Sequence, residues 1–357
     1  MDLGTMRAER LRSHRLTAPA RSVADAARHM LAVQAQEFWA GRWALAARTT
    51  GAPTLARVDR LFDRGVLVRA WTQRGTLHIV PAEDLGWMLQ VTGERQLRMA
   101  APRYRELGLG PEEFATAERV IVGALRGGNG LTRAELFALL EGAGIATAAQ
   151  RGLHAIQNLA LRGIVCQGSV VAKPEGASRE QRFVLTDERI RDSVQPRDPA
   201  AEMFVRYIVG HGPATAADFA WWAGATLGAA RAAASASESD DRIREVDDGV
   251  YAASVRPRRS PRAASVLALG LFEEYYISYT DRTVGCPPEH LDAIGPGKNG
   301  MVRPILLRDG VVIGTWRHST AVGRRADDPV PELLTPAAAS DAEVAAALDR
   351  YAAFITG

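Results

Sequence analysis

TLARVDRLFDRGVLVRAWTQRGTLHIVP, residues 54–81, changes its periodicity once, and that change decides the fold. Its first dozen residues carry an apolar stripe at helical spacing, and Gly65 closes it. VLVRAW and GTLHIVP then read as two strands joined by the turn TQRG. Upstream, Ser22 and Asp25 form an S-x-x-D capping box, and Val23, Ala26, Ala27, Met30 and Leu31 recur at helical spacing. A second helix is expected from about Phe38 to Arg48, ended by Gly51 and Pro53. The unit is helix, helix, helix, then a strand pair.

The same theme returns twice. A helix at about 115–126 breaks at GGNG, and LTRAELFALLEGAG follows behind the capping box of Thr132 and Glu135. TAAQRGLHAIQNLALRG then leads to strand-like IVCQG and RFVLTD. EMFVRYIVGHGP, TAADFAWWAG and LGAARAAASAS repeat the helices, with REVDDGVYAAS as the strand pair. Three helices with a strand ladder make the winged variant of helix-turn-helix. The expected fold class is α+β, with three tandem winged helix-turn-helix units over residues 1–110, 111–195 and 196–256. A β-rich region over 257–357 follows the basic stretch RPRRSPR. There ASVLALGLF and YYISYTDR read as strands, and 301–317 as a hairpin turning at Asp309-Gly310. An amphipathic helix from Ser340, capped with Glu343, ends the chain.

Length and composition, 357 residues with 47% hydrophobic and 24% charged, fit a soluble protein of two or three domains. No apolar run reaches membrane-spanning length, and the first residues lack a signal-peptide apolar core, so a cytoplasmic protein is expected. Cys166 and Cys286 are distant and have no CxxC partner, which speaks against a zinc site or a disulfide framework. The net charge of +3 hides a segregation. Residues 1–110 hold 17 Arg, no Lys and 10 acidic residues, a surplus of seven positive charges, and the remainder is net negative. Such a balance favours a polyanionic partner.

Conventional catalytic signatures are missing: no Walker motif, HExxH or GxSxG occurs, and no GxGxxG lies at a strand–helix junction. What stands out is MLAVQAQEFWAGRW, residues 30–43, with Gln34 and Gln36 inside an apolar, helix-like run. On a helix, residues two apart point about 200° from each other; in an extended segment they share a side. A shared role for the two glutamines therefore needs the helix to end near Val33 and restart near Glu37. The competing reading has one glutamine on the surface and one at a helix end. Glu37 is the alternative carboxylate base, or a charge at the start of the next helix.

VQAQ, RAWTQRGTLHIVPAED, YISYTDR and GMVRPILLRDGVVIGTWR, in that order, resemble the AlkZ-type winged-helix DNA glycosylases over nearly the whole chain. Gln34-Ala35-Gln36 matches the family's Q-x-Q pattern, where other members carry Q-x-D. The resemblance implies tandem winged helices in a C-shaped body around damaged duplex DNA. It also implies hydrolysis of the N-glycosidic bond of bulky N7-alkylguanines, with Gln34 and Gln36 catalytic. Some such relatives unhook interstrand crosslinks or give self-resistance to DNA-alkylating antibiotics.

The chemistry is compatible. Glycoside hydrolysis ordinarily needs a carboxylic acid to protonate a poor leaving group. An N7-alkylated guanine is already cationic and needs none. A carboxamide can accept a hydrogen bond from the attacking water and donate another, and it stays neutral. No cofactor or metal is expected. With only Lys173 and Lys298 as amines, no lyase step is expected either. The expected partner is double-stranded DNA containing alkylated purines, met by a monomer. Candidate DNA contacts are Arg69, Trp71, Arg74 and His78 on the first strand pair, and Lys298, Asn299, Arg308, Trp316 and Arg317 near the hairpin. Trp39 and Trp43, four apart on one helix, are expected in the core. The alternative function is a non-catalytic winged-helix DNA-binding protein, a regulator or a drug-sequestering resistance protein.

Overall fold

The computed structural model describes residues 1–173, 178–255, 266–297, 300–318 and 329–357. After α1 (Leu3–Ser13), the first segment folds as α2 (Val23–Met30), β1 (Val33–Gln34), α3 (Phe38–Ala47), α4 (Leu55–Asp63), β2 (Leu67–Trp71) and β3 (Leu77–Pro81). The Ser22 hydroxyl accepts from the Asp25 N–H and starts α2 as the capping pattern requires. A 22-residue helix, α5 (Leu85–Glu106), comes next, and the sequence reading passed over it. Its large buried residues Leu85, Trp87, Met88 and Leu89 crowd the first turn, and it contains Pro102, so no long apolar stripe announces it.

The second segment is α6 (Pro111–Leu125), α7 (Arg133–Gly142), α8 (Arg151–Leu161), β4 (Val165–Val170), β5 (Gln181–Leu185) and the single turn α9 (Thr186–Arg189). Thr132 and Glu135 close their capping box reciprocally. The third is α10 (Pro199–His211), β6 (Ala214–Thr215), α11 (Ala216–Ala223), α12 (Leu227–Ala236), β7 (Ile243–Asp247) and β8 (Val250–Ala253). The remainder is β9 (Val266–Leu269), α13 (Glu274–Ile277), α14 (Leu291–Ile294), β10 (Ile305–Arg308), β11 (Val311–Arg317), β12 (Val330–Leu333) and α15 (Asp341–Thr356). The fold is a mixed helix-and-sheet, α+β architecture.

One expectation is corrected. YYISYTDR is not a strand: its first residues belong to α13. Tyr and Ile favour strands by propensity, but the Glu273 carboxylate accepts from the Tyr275 N–H at 3.2 Å and caps a turn whose four residues are all buried. Capping and packing override the propensity.

The described residues form two compact units that are not contiguous in sequence. One comprises Met1–Val58 and Ala200–Gly357, the other Asp59–Ala172 and Ser178–Pro199. In the first, a four-stranded antiparallel sheet runs β12-β11-β10-β9, with Ile305 opposite Thr315 and Arg308 opposite Val311 across the Asp309-Gly310 turn. Trp39 and Trp43 of α3 pack on Tyr351 of α15, each with ring centroids 5.5 Å apart, and Trp39 meets Trp316 edge-on at 6.1 Å. Such ring pairs each add about 1 kcal/mol beyond burial. A smaller sheet, β6-β8-β7, accompanies α10–α12.

In the second unit the strands run β3-β2-β4-β5, every pair antiparallel. Trp71, Leu77, Ile121, Leu125, Leu136, Leu140, Leu159 and Phe183 share its core. Helices α5 and α8 approach so closely at Gly93 that a Cβ there would lie 2.6 Å from the Leu161 carbonyl oxygen. Among the described residues, no helix is long and apolar enough to cross a membrane.

The Gly93 contact gives a direct test. Backbone cannot yield as a flexible side chain can, so Gly93→Ala is expected to destabilise by about 1–3 kcal/mol. Urea unfolding would register this as a lower midpoint; an unchanged midpoint would mean the helices do not meet there.

Candidate active site

Helix α2 stops at Met30 and α3 begins at Phe38, which leaves residues 31–37 outside helices. The break is abrupt. Leu31 has φ 61° and ψ −50°, and the Ala32 N–H donates to the Met30 carbonyl at 2.7 Å, closing a γ-turn. A positive φ in a fully buried, non-glycine residue is strained, of order 1–3 kcal/mol, and such strain gathers at functional segments. The chain then extends through β1, where Gln34 is buried, while Gln36 is exposed. The interruption that a common role for both glutamines requires is present, and so is the surface glutamine of the competing reading. Glu37 is half-buried at the N-cap of α3, its side chain making no cap hydrogen bond.

Behind Gln34 lies a polar cluster inside the same compact unit. The Gln34 N–H donates to Glu274 Oε1 at 2.7 Å. Glu274 Oε2 accepts from Trp222 Nε1 at 3.2 Å and from the Ser278 hydroxyl at 2.6 Å. His211 Nε2 is 3.7 Å from the same oxygen, and its Nδ1–H donates to the Tyr207 carbonyl at 3.1 Å. The neighbouring Glu273 takes a different partner, the buried Arg48 guanidinium. Arg48 also donates to His14 Nδ1 at 3.3 Å, while His14 Nε2–H donates to the Tyr279 oxygen at 2.7 Å. The Tyr279 hydroxyl donates onward to the His211 carbonyl at 2.6 Å. Burial, then the neighbouring His211 and Arg48, hold the His14 imidazole well below its ordinary pKa, so it is neutral.

Sequence reasoning missed Glu273 and Glu274. Their signal was available: two adjacent carboxylates in the apolar run LFEEYYISY, where burial demands partners. Trp222 and Ser278 carry no such signal, because their role depends on where the chain folds.

The proposed DNA contacts separate by burial. Arg69 is buried and donates to Gln167 Oε1 on the adjacent strand at 2.9 Å. Trp71 lies in the core and His78 is fully buried, its Nδ1 3.0 Å from both the Thr72 hydroxyl and the Thr76 carbonyl. Trp316 is buried, donating to the Leu269 carbonyl at 2.9 Å. Both faces of this strand pair are covered, since all five residues of β2 and all five of β3 are buried, and Trp316 of β11 packs on Tyr351. Arg74, at φ 56° in the turn, is half-exposed; Arg308 reaches Glu343 at 3.2 Å; Arg317 is exposed. Lys298 and Asn299 lie outside the described residues. Among the described residues, no three His, Cys, Asp or Glu gather into a possible metal site.

A family model described as DNA glycosylase AlkZ-like matches residues 27–354. The chain is 24% identical, over 312 residues, to the interstrand DNA cross-link repair glycosylase of Streptomyces sahachiroi, covering 83% of this chain and 82% of that protein. The solved structure of the Streptomyces sahachiroi DNA glycosylase AlkZ superposes with a TM-score of 0.75 at 22% identity, over 98% of this chain and 96% of that one. The structural likeness bears on the fold.

The neutral imidazoles make stability depend on pH. His29 donates through Nε2 to the Ser13 carbonyl at 2.6 Å and accepts from Arg15 at 3.2 Å. Burial, then Arg15, push its pKa down from 6.5 to about 3. The unfolded chain therefore binds protons better than the folded one. Stability is full above about pH 6.5 and is lost as pH falls towards 3. His29 alone is expected to cost about 2 kcal/mol at pH 5. The urea midpoint should be lower at pH 5 than at pH 7, and His29→Gln, which can make both bonds without titrating, should remove part of the difference. Equal midpoints would contradict the neutral assignment.

Proposed function

Since the chain belongs to the AlkZ-like DNA glycosylase family, we propose that it hydrolyses the N-glycosidic bond of cationic, bulky N7-alkylguanines in duplex DNA. Gln34 and Gln36 position the attacking water. The observation that carries this reading is the interrupted helix at residues 31–37, which lifts the Q-x-Q pattern out of helical geometry. The leaving purine departs neutral, so the burden on the enzyme is the oxocarbenium-like sugar and the water at C1′. Two carboxamide oxygens aimed at that water supply dipoles without a proton to lose. The name of the Streptomyces sahachiroi relative extends the proposal to interstrand crosslinks. Repair of, or self-resistance to, DNA-alkylating natural products is the corresponding role.

The three helix-and-strand segments, 1–110, 111–195 and 196–256, then serve as winged helices, with 257–357 as the β-rich region. Arg74, Arg308 and Arg317 contact phosphate, as do Lys298 and Asn299, and the protein acts as a monomer. The reaction stops at the abasic site: an amine nucleophile is needed for lyase chemistry, and the chain has two lysines, both outside the Gln34 segment.

Base release from a duplex carrying one defined N7-alkylguanine, in EDTA, tests the proposal. Wild type is expected to give alkali-dependent strand cleavage, and Gln34→Ala/Gln36→Ala to lose it. Each single alanine variant should lose less than the roughly 10²–10⁴-fold that removal of a general base costs. Unmodified guanine should be untouched. Tight DNA binding without base release by wild type, on both a small and a bulky adduct, would favour the non-catalytic binding protein.

A further inference from the structure

We propose that Glu274 is a positioning residue for the Q-x-Q segment: its buried carboxylate fixes the Gln34 backbone, and with it the aim of the carboxamides. The inference rests on the assignment of Gln34 and Gln36 above.

Gln34, Glu274, Trp222 and Ser278 are 8%, 1%, 0% and 0% exposed. A carboxylate this deep is costly unless its lone pairs are used, and an apolar side chain of similar volume would pack there without that cost. Stability alone therefore does not call for a glutamate here. Its geometry does have a use. One oxygen is held by two donors from different elements, Trp222 Nε1 of α11 and the Ser278 hydroxyl beyond α13. The other oxygen takes the Gln34 N–H. Two fixed bonds on one side orient the acceptor on the other.

The adjacent Glu273 sharpens the contrast. It takes the Arg48 guanidinium, while Glu274 gives one oxygen to the Gln34 N–H and the other to Trp222 and Ser278, with His211 Nε2 3.7 Å away. A hydrogen bond to a carboxylate is about twice as strong as one to a neutral acceptor. It acts on a segment that leaves a strained γ-turn three residues earlier and has no helical bond of its own. A glutamine at 274 would own one oxygen instead of two. Its NH2 would have to face either the Gln34 N–H or the Trp222 N–H, donor against donor.

Single-turnover base release on an N7-alkylguanine duplex, with DNA affinity and the Gln34 amide proton shift measured alongside, tests the role. Glu274→Gln is expected to slow release by about tenfold to a hundredfold, with affinity within about threefold of wild type and the Gln34 amide resonance moved upfield. Ser278→Ala should move both readouts the same way by less. In Gln34→Ala/Glu274→Gln the fall should be smaller than the product of the single falls, because Glu274 acts through that segment. Should Glu274→Gln fail to fold, Ser278→Ala alone and combined with Gln34→Ala carries the same comparisons. Wild-type rates in Glu274→Gln or Ser278→Ala, with Gln34→Ala slowed, would overturn the positioning role alone. So would strictly multiplicative losses. Full activity in Gln34→Ala/Gln36→Ala would overturn the assignment of the glutamines themselves.

Discussion

A backbone N–H that leaves a helix and stays buried must find an acceptor, and at Gln34 the acceptor is a carboxylate 240 residues away in sequence. That one bond ties the helix break at Leu31 to the turn at Glu274, which Ser278 closes, and through Trp222 to α11. Without the break, Gln34 and Gln36 would sit on opposite sides of a helix. Without the acceptor, the extended segment would hold a buried donor unmade, at about 1–3 kcal/mol. The strain at Leu31 belongs to the same arrangement: the chain turns sharply so that the next residues run extended.

Several groups around that segment are neutral or paired, and Glu274 is a buried carboxylate held by hydrogen bonds. His14 and His29 are uncharged, Arg48 and Glu273 cancel, and the Tyr279 hydroxyl donates its hydrogen bond to a carbonyl. On the proposed reading this suits the substrate. A cationic purine leaves by itself once the sugar is stabilised, so a site of fixed dipoles does more than a site of titrating groups.

Much of the fold was legible because its signals are local. Capping boxes at Ser22, Thr132 and Ser340 mark helix starts where the structure has them, and Asp309-Gly310 turns the hairpin. The illegible parts are those set by distant contacts. Helix α5 hides because most of its large buried apolar residues crowd its start and Pro102 sits in its last turns. Arg69 and Trp71 on the first strand pair, and Trp316 near the hairpin, were candidate DNA contacts, yet both faces of β2 are covered and α15 packs on Trp316. Gln34 and Gln36 were legible as an anomaly, two polar residues in an apolar run. Glu274 was equally anomalous in its own run, but nothing in the sequence connects it to Gln34.

The central claim is that neutral carboxamides, and not an ionising base such as Glu37, hold the nucleophile. Single-turnover base release from an N7-alkylguanine duplex by Glu37→Gln, with the enzyme saturating and folded, tests it most directly. The account predicts a rate within about tenfold of wild type, because a side chain that is not the base can lose its charge without losing the nucleophile. A loss of about 10²–10⁴-fold, the cost of removing a general base, would contradict it and place a carboxylate base at the reaction centre.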